Sequence, residues 1–245
     1  HYCWFGGNDL SKLAEKCIES WLKYCPEYVI KRWDESNFDI NSNQYVKEAY
    51  ESKKWAFVSD YVRLYALYEY GGIYMDTDVE LLKGLDNLLE HNVFSGYENV
   101  NNIPTAIMGS KKSHTWIGYL LSYYNNKCFI KIDGSLDLTT NVTIITSMTK
   151  KRYNINLNNT YQVLDQGIAI YPKEYFCPKN YHDGKIRVTR NTYCIHHFNA
   201  SWHTEEERKK HKKRILFKKI FSKTLGEFIF QLNNHVINYG WISMI

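Results

Sequence analysis

The sequence predicts an α/β domain at residues 1–204 and a basic helical tail at residues 205–245. Three observations predict this organisation: a β–α–β pattern opens the chain, a long apolar helix leads through two glycines into a buried strand, and a lysine- and arginine-rich pattern begins near residue 205. A chain of 245 residues can bury the core of one sizeable domain and still carry a tail.

The chain opens on a predicted strand, Tyr2-Cys3-Trp4-Phe5, which ends at the glycine pair Gly6-Gly7. Glycines let a turn approach a ligand closely, so Trp4 is a candidate to face that ligand. A helix follows, and Tyr28-Val29-Ile30 is predicted as a second strand after Pro26. The helix is predicted from apolar residues at helical spacing, namely Leu13, Cys17, Trp21 and Tyr24.

Residues 55–70 predict a helix that is apolar on nearly all sides and therefore buried. Asp60 and Arg63 are three positions apart, so they share one face of this helix. Ionised groups in a buried helix need a partner or a ligand. The two residues therefore form either a structural ion pair or part of a binding site.

The most informative stretch follows this helix and runs from Gly71 to Asp78. Gly71 can close the helix in the left-handed conformation, and residues 73–75 then form a buried strand. Asp76 and Asp78 stand where this strand leaves the sheet, and an extended backbone points both side chains to one side. Ligands of open α/β sheets bind beyond the carboxyl ends of the strands. We therefore expect Asp76 and Asp78 to bind one divalent cation.

Further strands and helices are predicted downstream of Asp78. Residues 116–124 predict a helix, residues 139–148 fit either a helix or a strand, and predicted strands cover residues 93–96, 103–108, 163–171 and 192–195. The last strand leads into His196-His197, where an imidazole can supply a third metal ligand from across the cleft. Paired histidines also occur as ordinary core or surface residues.

The net charge of +5 is concentrated in the tail, where residues 205–223 hold nine Lys or Arg against three Glu. The nearly neutral remainder argues against a nucleic-acid-binding face. The six cysteines include no C-x-x-C pair, so we expect neither a zinc knuckle nor a disulfide framework, and a reducing cytoplasm fits best. The sequence shows no signal peptide and no apolar run near 18 residues, so no membrane span is predicted.

The tail combines its basic residues with a stripe of large apolar residues. One interpretation is an amphipathic helix at residues 205–232 that lies on an anionic membrane. The other is a helix that docks on the domain through the same stripe. The stripe consists of Phe217, Phe221, Leu225, Phe228 and Leu232.

Four motifs stand out together, namely Trp4-Phe5-Gly6-Gly7, Ser59-Asp60-x-x-Arg63, Gly71-Gly72-Ile73-Tyr74-x-Asp76-x-Asp78 and His196-His197 followed by Ser201-Trp202. In combination they resemble the DXD sugar transferases of glycosyltransferase family 32. That family includes Golgi mannosyltransferases and bacterial capsule and O-antigen enzymes, and it is similar to the glucosylating domains of large clostridial toxins. The resemblance implies a single-domain, Rossmann-like GT-A fold, which is the nucleotide-diphospho-sugar transferase architecture.

The resemblance also implies roles for the matching residues in binding the donor, a nucleotide sugar. Trp4 would stack on the nucleobase, and Tyr74 would belong to the donor site. Asp60 and Arg63 would bind the donor sugar and its diphosphate. Arg63 would further stabilise the charge that develops on the departing nucleoside diphosphate.

For the metal, the resemblance implies Asp78 as a direct ligand, with Asp76 contacting the ribose, the sugar or the metal. It favours His197 over His196 as the further ligand, because the five-residue distance to Trp202 matches the toxins' spacing. Ser201 and Trp202 would close over the diphosphate as part of a mobile lid.

The chain departs from the family at two places on the acceptor side. An Asn is common where Thr105 or Ala106 stands, and Thr140-Asn141-Val142 replaces a Thr-Gly-Pro turn. Asn102 and Asn141 are candidate polar contacts for the acceptor.

The function implied by the resemblance is that of a metal-dependent retaining glycosyltransferase. It would use Mn²⁺ or Mg²⁺ to move a hexose from a nucleotide sugar, with UDP favoured, to a polysaccharide or lipid-linked oligosaccharide. The expected setting is the synthesis of bacterial surface glycans such as capsule, O-antigen or lipopolysaccharide, in the cytoplasm or as a peripheral protein at the inner face of the plasma membrane.

Two other functions compete with this interpretation. Met75-Asp76-Thr77-Asp78-Val79 also fits a haloacid-dehalogenase-type phosphotransferase, in which the first Asp is the nucleophile. However, no Asp-Asp or Gly-Asp dipeptide follows Asp78 to supply the further carboxylates that such a site needs. The other alternative is a non-catalytic glycan-binding protein whose Asp pair holds a structural cation.

Overall fold

The structure is a computed structural model that describes residues 1–103, 106–181 and 183–199, together with Lys209, Lys213 and Leu216. The chain divides into two compact units, of which the first comprises residues 1–179 and 186–202 and the second residues 180–185 and 203–245. The three described tail residues are helical and exposed. The predicted apolar stripe of the tail, Ser201 and Trp202 all lie outside the described residues, so the domain boundary at residue 204 stays a prediction.

The first unit alternates helices and strands, which confirms the predicted α/β class. No helix within the described ranges is long and apolar enough to cross a bilayer. The α-helices there are α1 (Lys12–Tyr24), α2 (Gln44–Glu51), α3 (Trp55–Tyr70), α4 (Thr115–Leu121), α5 (Asn141–Arg152) and α6 (Lys173–Phe176). The strands are β1 (Tyr2–Cys3), β2 (Arg32–Trp33), β3 (Gly72–Met75), β4 (Val79–Leu81), β5 (Val93–Gly96), β6 (Ile107–Ser110), β7 (Gln162–Leu164), β8 (Ile168–Tyr171) and β9 (Cys194–His196).

A mixed five-stranded sheet in the order β3-β6-β5-β8-β7 forms the centre of the unit. β6 is antiparallel to both β3 and β5, and β5 is parallel to β8, so β3, β5 and β8 run in one direction. β1 pairs with β2 in parallel and continues this sheet at β3, because the amide of Met75 donates to the carbonyl of His1. The carboxyl ends of β1, β3, β5 and β8 therefore lie at one edge.

Helices cover both faces of the sheet, as the alternation of side chains along β3 shows. Tyr74 packs into one core cluster with Val46 of α2 and Val62 of α3. Ile73 and Met75, on the opposite face of the same strand, belong to a second cluster that contains Cys17 and Trp21 of α1. The strand that leads to Asp76 is thus buried on both sides and holds its exit point rigidly.

α3 ends where the sequence predicts, at Gly71. This residue has φ +70°, and a Cβ placed on it would lie 2.7 Å from the backbone nitrogen of Lys112. Its amide still donates to the carbonyl of Leu67, which closes the last turn of the helix. Only glycine fits this conformation and this space, so α3 turns directly into β3.

Several predicted strands differ from the structure. Residues 28–30 form no strand, and β2 begins instead at Arg32. The strand predicted at residues 103–108 is β6, shifted to Ile107–Ser110. The strand predicted at residues 163–171 is two antiparallel strands, β7 and β8, because Gln166 and Gly167 adopt positive φ and turn the chain. The ambiguous segment at residues 139–148 is helical, as part of α5.

Candidate functional site

The edge formed by the carboxyl ends of β1, β3, β5 and β8 carries most of the residues that the sequence singled out. Trp4 follows β1 directly, and Asp76 follows β3. Such an edge is where open α/β sheets bind ligands.

The acidic turn is anchored by backbone hydrogen bonds on both sides. The amide of Asp76 donates to the carbonyl of Ala106 at 2.8 Å, and the amide of Val79 donates back to the carbonyl of Asp76 at 3.0 Å. These bonds make residues 76–79 a tight turn between β3 and β4. The predicted convergence of the two carboxylates therefore arises at a fixed turn and not along one extended strand.

β9 brings a histidine to this turn from far along the chain. β4 and β9 pair antiparallel with His196 opposite Val79, and the amide of His197 donates to the carbonyl of Asp78 at 2.9 Å. This register places Nε2 of His196 3.5 Å from Oδ1 of Asp78. The other carboxylate oxygen of Asp78 accepts a 2.7 Å hydrogen bond from the amide of Asn199.

Asp76, Asp78 and His196 together form a candidate metal centre. One ligand atom from each residue lies within 4.8 Å of the others. Carboxylate oxygens with one imidazole suit Mg²⁺ and Mn²⁺, and three protein ligands leave coordination positions for the oxygens of a substrate. The chemistry of this set therefore fits a divalent cation.

The sequence favours His197 as the histidine ligand, whereas in the structure His196 is the histidine that lies with the two carboxylates. Nε2 of His197 lies 2.8 Å from Oε2 of Glu80, away from the candidate metal centre. Glu80 is paired in addition with Lys16 at 2.8 Å. Neighbouring residues in a strand point to opposite faces, so the backbone that directs His196 to Asp78 must direct His197 elsewhere.

Arg63 links the acidic turn to α3. Its Nη2 lies 3.0 Å from Oδ1 of Asp60 and 3.2 Å from Oδ1 of Asp76, while its Nε donates to the carbonyl of Ser59. The arginine side chain is 5% exposed. A buried ion pair is therefore present, and it adjoins the candidate metal centre, while donor binding by Asp60 and Arg63 stays a prediction. The burial of Arg63 favours a role in positioning the two carboxylates.

Tyr74 acts on the same carboxylate from the buried side. Its hydroxyl donates to Oδ1 of Asp76 at 2.8 Å, and the guanidinium of Arg63 lies 4.7 Å from the centre of its ring. Tyr74 is 1% exposed. Tyr74 therefore affects the predicted donor site only through its hydrogen bond to Asp76.

Burial dominates the acid–base behaviour of these carboxylates. It raises the pKa of Asp60 to about 6, although the charge of Arg63 acts to lower it. Burial also raises the pKa of Asp76, again against the effect of Arg63, and the nearby charge of Asp78 raises it further. One guanidinium shared among buried and partly buried carboxylates leaves an excess of negative charge, which a cation would relieve.

Asn141 belongs to this network more closely than the sequence indicated. Its Nδ2 donates to Oδ1 of Asp60 at 3.2 Å, and the residue is 4% exposed. Its Oδ1 is buried without a hydrogen-bond partner among the described residues. The residue stands at the start of α5 with Thr140 as N-cap, so its helical context could have been predicted but its long-range contact could not.

Trp4 is partly buried and follows β1 at the site edge. Its indole Nε1 donates to the carbonyl of Asn8 at 2.7 Å, which fixes the ring over its own turn. Stacking on a nucleobase stays a prediction for this residue. The predicted lid residues Ser201 and Trp202 lie outside the described residues.

A family model supports the identification of the acidic motif. The model described as "Glycosyltransferase sugar-binding region containing DXD motif" matches residues 11–95. The matched segment includes Asp60, Arg63, Asp76 and Asp78. Trp4 and both histidines lie outside it.

The chain is similar to Inositol phosphoceramide mannosyltransferase 3 of Schizosaccharomyces pombe, with 32% identity over 114 residues. The match covers 44% of this chain, and this chain spans 32% of the length of that curated relative. A solved structure called PaToxG Glycosyltransferase is similar with a TM-score of 0.45 and 18% sequence identity, over 62% of this chain and 68% of that chain.

The family match and the curated relative confirm the predicted resemblance to DXD glycosyltransferases. The mixed central sheet confirms the predicted α/β class, and the GT-A-like architecture agrees with the family match. The triplet Asp76-x-Asp78 falls inside the segment that matches the sugar-binding region model, and this match favours the glycosyltransferase interpretation over the dehalogenase-type phosphotransferase.

Proposed function

We propose that this chain, whose residues 11–95 match the model of a glycosyltransferase sugar-binding region with a DXD motif, transfers a hexose from a nucleotide sugar to a hydroxyl group of a glycan or lipid-linked acceptor. The observation that carries the proposal is the cluster of Asp76, Asp78 and His196 beside the Asp60–Arg63 pair at the sheet edge. A site of this kind can hold both a cation and a diphosphate. The mannosyltransferase named among the relatives supports a hexose as the transferred group.

Some residues of the site would bind the cation, and others would orient those ligands. Asp76, Asp78 and His196 would hold Mn²⁺ or Mg²⁺, and when bound the cation supplies positive charge to the diphosphate leaving group. Arg63 and Tyr74 fix Asp76 from two sides, so its carboxylate is oriented before substrate arrives. Such preorganisation lowers the cost of reaching the transition state.

Asp60 is the candidate for contact with hydroxyl groups of the donor sugar. Its Oδ1 is held by Arg63 and Asn141. A carboxylate fixed in this way accepts hydrogen bonds in a defined direction, which positions the sugar for attack. Retention at the anomeric carbon is our proposal from the family resemblance, with the acceptor attacking the face that the diphosphate leaves.

The finer features of the function also remain proposals. We propose UDP as the nucleotide, and bacterial surface glycan synthesis at the inner face of the plasma membrane as the setting. Both rest on the resemblance to family 32, and the curated relative with a significant match is fungal. Membrane association through residues 205–232 rests on the pattern of basic and apolar residues alone.

A screen of nucleotide sugars tests the proposed function. UDP- and GDP-hexoses are added with and without Mn²⁺, and the melting temperature, donor hydrolysis and phosphate release are measured. A transferase predicts metal-dependent stabilisation by the nucleotide and slow donor hydrolysis. Release of phosphate from simple monoesters would instead support a phosphotransferase, and a response to free glycans alone would support a glycan-binding protein.

A further inference from the structure

One carboxylate at the site edge has no role in the network described above. Glu98 lies two residues beyond β5, and its amide donates to the carbonyl of Asn102 at 2.9 Å, which closes a short turn there. Because β3 and β5 run in the same direction two places apart in the sheet, Glu98 follows β5 at the edge where Asp76 follows β3.

The other carboxylates around the site are all engaged. Asp60 is bonded to Arg63 and Asn141, and Asp76 is bonded to Arg63 and Tyr74. Asp78 accepts the amide of Asn199, and Glu80 is paired with Lys16 and His197. The described residues provide the Glu98 carboxylate with neither a hydrogen bond nor an ion pair.

Lys173, a cation whose charge acts on Glu98, is committed to other partners. Lys173, two residues beyond β8, donates through Nζ to the carbonyl oxygens of Cys177 and Lys179. Its charge nevertheless acts on Glu98, as do the charges of His196 and Asp76. Burial is the main cause that raises the pKa of Glu98, and the charge of Lys173 acts to lower it. Glu98 therefore lies within the electrostatic reach of the metal centre while remaining free to bind.

Glu98 is too far from the candidate metal centre to belong to it, since the set of mutually close ligand atoms contains only Asp76, Asp78 and His196 among the described residues. Glu98 is half-buried. Its carboxylate oxygens are not among the fully buried, unpaired side-chain atoms of the described residues, so a ligand can reach them. An unpaired carboxylate in this position suits hydroxyl donors. It disfavours anionic groups, because like charges repel at short range.

We propose that Glu98 binds the acceptor, and that its carboxylate accepts a hydrogen bond from a hydroxyl group of a neutral sugar in the acceptor position. The assignment to the acceptor follows from the arrangement of the site. Asp60, on α3, adjoins Asp76 through Arg63, whereas Glu98 and Lys173 follow the neighbouring strands β5 and β8. This inference rests on the proposed transferase function and gives its acceptor a chemical class.

The variant Glu98→Gln tests this inference, because it keeps the shape of the side chain and removes its charge. The full chain is assayed with Mn²⁺ and the nucleotide sugar that the wild-type protein hydrolyses, using methyl α-mannoside, methyl β-glucoside and methyl β-galactoside as acceptors. Glu19→Gln, an exposed change on α1, is the matched control. Glu98→Asp retains the charge on a shorter side chain.

We expect Glu98→Gln to keep donor hydrolysis within twofold of the wild type and to keep the nucleotide-dependent rise in melting temperature. Its kcat/KM for transfer to the methyl hexoside should fall roughly tenfold, because the neutral amide oxygen accepts a weaker hydrogen bond than the carboxylate does. The kcat/KM of Glu98→Asp should lie between those of the wild type and Glu98→Gln. The kcat/KM of Glu19→Gln should match that of the wild type.

Three results would overturn the inference while leaving the transferase function intact. The first is a Glu98→Gln variant that transfers as well as the wild type. The second is a wild type that hydrolyses the donor but uses none of the three hexosides. The third is an equal loss of hydrolysis and transfer in Glu98→Gln, which would mean that Glu98 contacts the donor. A wild type with neither nucleotide-dependent stabilisation nor hydrolysis would overturn the proposed function itself.

Discussion

The hydroxyl of Tyr74 lies 2.8 Å from Oδ1 of Asp76 and donates a hydrogen bond to it. The two residues are two positions apart, so the strand that leads to the site also orients the first carboxylate of its metal motif. Because the phenol is buried, it has no alternative partner in solvent. The orientation of Asp76 is therefore a property of the fold and does not depend on a bound ligand.

We predict that Tyr74→Phe weakens Mn²⁺ binding roughly tenfold, within the range known for groups that orient metal ligands. The ring remains in the core, so the secondary structure should be unchanged. Isothermal titration with Mn²⁺ measures the affinity. Tyr161→Phe, at a half-exposed tyrosine, is the matched control, and an unchanged affinity in Tyr74→Phe would show that Arg63 alone positions Asp76.

We predict that Asp78→Asn reduces donor turnover by more than about a hundredfold, because the neutral amide is a poor ligand for a hard cation. The side-chain carbonyl can still accept the amide of Asn199, so the turn should keep its conformation. Turnover is measured at saturating Mn²⁺, with the exposed change Asp9→Asn as control. Near-native turnover in Asp78→Asn would rule out the metal assignment.

The two histidines are separated by a paired comparison of His196→Gln and His197→Gln. We predict that the first weakens Mn²⁺ binding at least about tenfold, because it removes a ligand. The second should leave the affinity within about twofold, since the ring of His197 contacts Glu80 and not the metal centre. If His197→Gln weakened Mn²⁺ binding and His196→Gln did not, the ligand would be His197, as the sequence predicts.

A pH effect on stability is predicted for Asp60. Burial raises its folded-state pKa from 3.8 to about 6, so the folded protein holds this proton more tightly than the unfolded chain. The resulting stabilisation is fully present below about pH 4 and is lost as the pH rises through about 6, with a total of about 3 kcal/mol. Asp60→Asn cannot ionise and lacks this effect.

The measurement is the free energy of unfolding by urea from pH 4 to pH 7, in metal-free buffer. The wild type should lose stability relative to Asp60→Asn over this interval, while Asp9→Asn should follow the wild type. A constant difference between wild type and Asp60→Asn across the interval would mean that Arg63 keeps Asp60 ionised throughout.

The sequence predicts best those features that depend on neighbouring residues. α3 and β3 lie where the apolar run and Gly71 place them, and β5 occupies the predicted residues 93–96. The acidic turn after β3 could also be predicted, because a strand end and a pair of aspartates are both visible locally.

Features set by distant pairing could not be predicted in the same way. Tyr28-Val29-Ile30 has strong β-propensity, yet Val29 is 91% exposed and the strand forms at Arg32–Trp33, where β1 provides a partner. The choice between His196 and His197 depends on the register of β9 against β4. A shift of one residue would exchange the two side chains, and no local pattern fixes that register.

Because β9 pairs with β4, the candidate site needs residues that are synthesised late in the chain. The amide of Asn199 and the carboxylate of Asp78 are separated by 121 residues. A nascent chain that has emerged only as far as β8 can already form every strand of the central sheet, yet it lacks the histidine that completes the ion-binding cluster. The candidate metal centre can therefore be complete only after β9 has left the ribosome and paired with β4.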